Sequence, residues 1–260
     1  MNLLRTGREM LEGTSYTLGI AGRTALALPQ LWRRRRETTE QCYAASVKLI
    51  HVIVLVGAFA GMILSLQTGL ALADFGQEGS IGSIVAAAMV REMGPFITAV
   101  ILAAAVGSAL AAELGTMKVS DEITALEVMS IDPVPFLVLP RVVALTVACP
   151  LLAIVANVVG IYGGSIVAES LLRVDPLAYR ETVLDVLSRP AEIFPVPKDI
   201  YAGLFKATVY GFLIAVIGCS HGLRASNGAL GVGEAARTAV RNSIILVLVM
   251  NFILTRVMYT

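Results

Sequence analysis

Charge is what this sequence is short of. Only 15% of its 260 residues are Asp, Glu, Lys or Arg, whereas 57% are hydrophobic and the mean hydropathy is +0.79. A soluble domain needs a largely polar shell, and this composition cannot build one. The 20 Lys and Arg stand against 19 Asp and Glu, so no basic surplus points to nucleic acid. Cysteine is scarce as well. Cys42, Cys149 and Cys219 are too few and too far apart for a zinc spacing, and an odd number argues against a disulfide framework, so they read as small packing residues. No His, Cys or carboxylate cluster suggests a metal. The chain also lacks Gly-x-x-x-x-Gly-Lys-Ser/Thr, so it has no P-loop, and any ATP must be hydrolysed elsewhere. After Arg5, Arg8, Glu9 and Glu12 there is no compact apolar stretch of signal-peptide type, so the first residues are expected to be retained.

What is abundant is long apolar runs. The hydrocarbon core is about 30 Å thick and a helix rises about 1.5 Å per residue, so about 20 apolar residues span it. Leu49 to Ala73 and Val142 to Ala168 contain no Lys, Arg, Asp or Glu. Ile81 to Ser108 is long enough but carries Arg91 and Glu92. Ala207 to Leu223 spans if Lys206 snorkels, and Asn242 to Thr255 spans only with its flanks. The expectation is an all-α integral membrane protein. An amphipathic interfacial segment occupies residues 1–45, and a five-helix domain occupies 46–260, with spans near 46–73, 81–108, 134–169, 200–221 and 238–258. Lys and Arg concentrate on one side if the N-terminus is cytoplasmic, which puts the C-terminus outside. The run Trp32 to Arg36 suits anionic headgroups, or serves only as a topology signal.

Outside the bilayer, Asp175-Pro176 reads as an N-cap with Pro at N1, opening a helix to about Leu187 with Leu177, Leu184 and Leu187 on one face. Pro190, Pro195 and Pro197 mark an extended loop, and Asp199 is positioned to cap the next span. This outer module is a docking surface or a lid.

Inside a span, Arg91-Glu92-Met93-Gly94-Pro95 is the most informative local feature. Charge at depth is expensive and usually faces a bundle interior or a wet cavity. Pro95 has no N–H, so the carbonyl of Arg91 loses its helical partner. The alternative is that the pair sits at the outer interface. Gln67, late in the first span, could face the same cavity. Gly57-x-x-x-Gly61, Gly160-x-x-x-Gly164 and the small run from Gly107 to Ala112 read as helix-packing seams, one of them a candidate dimer interface. Ser220 and His221 superficially offer a nucleophile and a base, but adjacent residues on one helix point apart, which favours a helix end over a catalytic pair.

The inner loop after the second span is acidic. Glu113, Asp121, Glu122, Glu127 and Asp132 stand against Lys118 alone. Ser120 before Asp121 and Glu122 is a helix start and Asp132-Pro133 a stop, with Ile123, Leu126 and Met129 as an apolar stripe. Such a helix is either a socket for a soluble partner or a solvated connector.

Here the chain resembles the MlaE (YrbE) family of ABC-transporter permeases, which move lipids between membranes. The resemblance rests on Arg91-Glu92-Met93-Gly94-Pro95, on the stretch from Gly107 through Ala111-Ala112-Glu113-Leu114-Gly115-Thr116-Met117, and on Glu127-Val128-Met129-Ser130-Ile131-Asp132-Pro133. Looser similarity runs from about residue 46 to the end. It implies a homodimeric permease in a bacterial inner membrane, two copies of a separate ABC ATPase that carries the ATP and Mg, and no cofactor on this chain. It also implies a periplasmic MCE-domain protein and often a small STAS-domain protein. The segment from Glu113 to Met129 would be the coupling helix, with Glu113, Met117, Asp121, Glu122, Leu126, Glu127 and Met129 as its contact residues. Lipid, by this resemblance a phospholipid, would sit in a cavity at the dimer centre, lined by Gln67, Phe75, Arg91, Glu92 and Lys206. Arg91 or Lys206 would pair with the headgroup phosphate and Glu92 would hold Arg91. Two other classes compete. One is a stand-alone secondary transporter or channel using Arg91 and Glu92, and the other is a scaffold that only holds other proteins.

Overall fold

The computed structural model describes residues 2–188 and 198–259, and everything described is helix, turn or short loop. Without water in the bilayer core, each backbone N–H and C=O must be satisfied internally, so apolar runs of this length become helices. The helices are α1 (Asn2–Leu26), α2 (Arg35–Val47), α3 (Ile50–Ala73), α4 (Glu78–Val119), α5 (Glu122–Val128), α6 (Val134–Leu172), α7 (Pro176–Leu187), α8 (Lys198–Leu223) and α9 (Gly228–Tyr259). Five of them, α3, α4, α6, α8 and α9, are long and apolar enough to cross a membrane. The chain is an all-α membrane protein.

Several boundaries differ from expectation. The helix that carries the last span starts at Gly228, ahead of the span expected from about 238, and runs through the polar turns holding Glu234, Arg237 and Arg241. It begins where Asn227 and Gly228 take positive φ, +64° and +66°, which reverses the chain. The second span likewise continues past Ser108 to Val119. Both α4 and α6 contain π-helical turns, Met89–Met93 and Ala103–Gly107 in the former and Val134–Val138 in the latter. Such turns often mark functional positions in a helix.

By packing, the chain forms two compact units. One comprises Met1–Ala45, Leu102–Val147 and Tyr210–Leu248; the other comprises Ser46–Ile101, Ala148–Val209 and Val249–Thr260. In the second unit, α7 lies against the start of α4. Ile81, Val85, Ala86 and Met89 pack there with Ala168, Tyr179 and Val183. The expected start of α7 is present: Asp175 caps it, its carboxylate accepting from the Leu177 N–H at 3.3 Å, with Pro176 next. Its buried face is not the expected one. Tyr179, Val183 and Val186 are buried while Leu177 and Leu184 are exposed, and of the three expected leucines only Leu187 packs against the core. Burial pushes the Tyr179 phenol up to about 12. The Pro190, Pro195 and Pro197 loop lies outside the described residues. So do the side chains of Trp32 and Arg33.

In the first unit, α1 buries Ile20 and Thr24, and Ala27 just past its end is buried on the same face. A 3₁₀ turn over Leu28–Arg34, opened by Pro29, separates it from α2, so the N-terminal segment is two helices. The short helix α5 departs from expectation at both ends. Its N-cap is Asp121, at φ +61°, while the Ser120 hydroxyl, with one proton to donate, lies 2.9 Å from both the Thr116 carbonyl and the Glu122 carboxylate. It ends at Val128, four residues before Asp132, where Ser130 takes φ +61°.

Candidate functional site

Apolar helices bury small residues against one another, and this decides what is left for polar side chains. In the second unit the two expected seams pack on each other. A Cβ on Gly61 would lie 1.8 Å from the Gly160 carbonyl oxygen, and one on Gly160 would lie 3.0 Å from that of Gly57. Ser65 donates to the Gly164 carbonyl at 2.8 Å. These glycines therefore join α3 to α6 within one chain. In the first unit Gly218 and Gly222 of α8 meet the Gly107 and Ala111 carbonyls of α4 in the same manner. The spacing Gly218-x-x-x-Gly222 was the available signal, obscured by the Ser-His pair inside it. That pair is divided: Ser220 shares a 2.7 Å hydrogen bond with Thr17, and His221 lies 3.0 Å from the Asn242 amide. Cys149 and Cys219 are buried as packing residues.

Charge is collected in the second unit, where α4, α8 and α9 meet. Lys206 is fully buried. Its ammonium has three donors, and three acceptors receive them: the Glu92 carboxylate at 2.5 Å, the Thr255 hydroxyl at 2.8 Å and the Arg91 carbonyl at 3.1 Å. That carbonyl is the one Pro95 leaves without a helical partner. The π turn just before it closes with the Gly94 N–H on the Met89 carbonyl. The Thr255 hydroxyl also lies 2.9 Å from Glu92 and 2.7 Å from the Asn251 carbonyl.

A second pair adjoins the first. An amino nitrogen of Arg91 donates to one oxygen of Asp199 at 2.8 Å, and its Nε lies 2.7 Å from the other as an ion pair. Tyr259 donates to Asp199 at 3.1 Å and sets its ring 5.1 Å from the Arg91 guanidinium. Two expectations change here. Glu92 receives Lys206 instead of holding Arg91, and Asp199 serves Arg91 and Tyr259 instead of capping α8, because its side chain is buried against them. Asp199 was read from sequence only as a helix cap, and Thr255 and Tyr259 were not singled out. The signals were spacing: Asp199 is seven residues from Lys206 and Thr255 four from Tyr259, so each pair shares a helix face.

The other expected lining residues stand elsewhere in this unit. Gln67 is exposed on α3, and Phe75, just beyond its end, is 76% exposed. Neither joins the ionic cluster among the described contacts.

The expected coupling residues are divided between two helices. Glu113 and Met117 belong to the extension of α4, with Glu113 exposed and 3.4 Å from the largely buried Arg141, while Met117 is half-buried. Asp121, Glu122 and Glu127 are exposed on or beside α5. Of the apolar stripe, Ile123 is buried, Leu126 half-buried and Met129 exposed beside the still more exposed Val128. α5 thus carries an acidic surface that ends in two exposed apolar side chains.

Known proteins resemble this chain over most of its length. A family described as Permease MlaE matches residues 38–257. A probable ABC transporter permease protein of Synechocystis is 35% identical over 240 residues, covering 92% of this chain and 88% of that protein. One of Rickettsia prowazekii is 36% identical over 210 residues, covering 81% and 78%. The intermembrane phospholipid transport system permease protein MlaE of Haemophilus influenzae is 32% identical over 231 residues, covering 89% and 86%. This chain belongs to the MlaE permease family.

Proposed function

We propose that the chain is the membrane-embedded half of an ATP-driven phospholipid transporter of the bacterial inner membrane. It works as a homodimer that holds lipid in a central cavity, with its N-terminus cytoplasmic and its C-terminus periplasmic. A separate ABC ATPase, with its own ATP and Mg, docks on α5 and the α4 extension. A periplasmic MCE-domain protein, and in some systems a STAS-domain protein, completes the assembly. Family membership and the role named for the Haemophilus relative support the transport reading.

One observation carries the site. In the ionic cluster Lys206 is fully buried and its donors are engaged, whereas the Arg91 side chain is 38% exposed. A guanidinium has five donors, more than Asp199 occupies, so Arg91 is the cation that meets a lipid phosphate. Lys206 and Glu92 act behind it, fixing the turn that presents it. Gln67 and Phe75, both exposed, contribute a polar and an aromatic contact to the same lipid.

The test is purification of the chain with its ATPase, followed by mass spectrometry of bound lipid in the native protein and in Arg91→Ala. Copurified ATPase and phospholipid lost in the variant are expected. A chain that moves ions without any ATPase would establish the stand-alone transporter instead.

A further inference from the structure

Within the first unit, the C-terminal half of α1 is held at two places by polar contacts. At its C-terminal end Arg23 grips both oxygens of Asp132 at 2.8 Å each. Asp132 Oδ1 also accepts from the N–H of Val134, the first residue of α6, at 3.0 Å. Just beyond, the Arg34 guanidinium lies 4.1 Å from the centre of the Phe136 ring, in the π turn that opens α6. Nearer the other end, Thr17 and the buried Ser220 of α8 share a 2.7 Å hydrogen bond, and the Arg224 guanidinium lies 5.6 Å from the Tyr16 ring.

Between these anchors and the spans hangs α5. Both of its joints are residues other than glycine in the left-handed region, Asp121 and Ser130, each at φ +61°. Backbone of that kind bends the chain sharply and stores strain. It sets α5 off from its neighbours at both joints, and the Ser130 joint leads directly to Asp132.

We propose that α1 is a strut that carries displacement of α5 to the end of α8, with Arg23–Asp132 as its input and Thr17–Ser220 as its output. The proposal rests on the reading above that α5 receives the ATPase, and it makes Arg23 and Thr17 positioning residues for transport. The Arg23 and Asp132 side chains are 58% and 48% exposed. A pair so exposed adds little to stability, so a transport defect on its removal would come from transmission and not from unfolding.

The experiment uses the complete complex with its ATPase in phospholipid vesicles, following a fluorescent phosphatidylethanolamine and ATP hydrolysis together. Asp132→Asn keeps the acceptor for Val134 and removes the charge. Arg23→Ala, Asp132→Asn and Thr17→Val should each lower lipid moved per ATP at least threefold, with melting temperature and ATPase binding unchanged. Arg23→Lys should retain most of it. Because one strut has two ends, Arg23→Ala with Thr17→Val should be no worse than the worse single variant. Unchanged lipid per ATP in the single variants, or losses that multiply in the double, overturns the strut.

A second readout does not depend on lipid. Adding the ATPase should slow amide hydrogen exchange across residues 13–26 in the native chain and not in Arg23→Ala. Protection that persists in Arg23→Ala also overturns the proposal. If the native complex moves no lipid at all, the transport reading fails, while this exchange measurement still decides the strut.

Discussion

The Lys206 ammonium donates at 3.1 Å to the main-chain carbonyl of Arg91, the carbonyl that Pro95 deprives of its helical N–H. One proline, one lysine and one carboxylate are therefore a single device. The proline opens the backbone, and a buried charge closes it again while being neutralised by Glu92. Removing one member of a buried pair leaves the other uncompensated, at a cost of about 3–5 kcal/mol. Lys206→Met should lower thermal stability in detergent by that amount, and Lys206→Met with Glu92→Leu should recover over half of it. A double variant as unstable as the single would show that the pairing is not what holds this turn.

Backbone contact between α3 and α6 makes a sharper forecast. Gly61→Ala places a methyl against the Gly160 carbonyl, which neither side can move aside, and overpacking of this kind costs roughly 1–3 kcal/mol. Gly79→Ala meets nothing within 4 Å and serves as the control. Equal melting temperatures for the two variants would contradict the seam.

Tyr179 gives the pH dependence. Its phenol titrates near 10.0 when exposed and near 12 when buried, so the folded state favours the neutral form. That stabilisation is complete below pH 10 and is lost as pH rises toward about 12. Tyr179→Phe removes a 3.3 Å hydrogen bond to the Ile161 carbonyl, worth about 1 kcal/mol, and with it the alkaline loss. Hydrogen exchange of α7 between neutral pH and pH 11 measures it, corrected for the intrinsic rate. An identical alkaline loss in Tyr179→Phe would remove this phenol as its source.

Reversing charge on the inner loop should separate two roles. Glu127 is exposed, so Glu127→Lys should weaken ATPase binding at least tenfold without shifting the melting temperature. Glu113 faces Arg141, so Glu113→Lys sets like charges together and should lower both. Full ATPase affinity in Glu127→Lys would move the docking site away from α5.

Much of the fold was legible because a bilayer imposes it. Apolar runs of spanning length must be helical, so five spans follow from composition, and Asp175-Pro176 opens α7 by local chemistry alone. The helix ends were less legible. Continuing α9 from Gly228 and α4 to Val119 depends on polar turns that are equally consistent with loop. The rotation of α7 was misread because Leu177, Leu184 and Tyr179, Val183 are both periodic faces, and only contact with α4 chooses between them.

The candidate site divides in the same way. From the residues alone, Arg91 and Glu92 required partners, and Pro95 required a donor for an orphaned carbonyl. Which side chains answer was a tertiary matter. Lys206, Asp199, Thr255 and Tyr259 lie more than a hundred residues downstream, on α8 and α9, and opposite charges carry no address in sequence. Apolar content and backbone valence determined that this chain is a membrane bundle with a polar break. Close packing of distant helices decided that Lys206 is sealed within that break while Arg91 keeps an exposed edge, because burial is a property of what surrounds a residue and not of the residue itself.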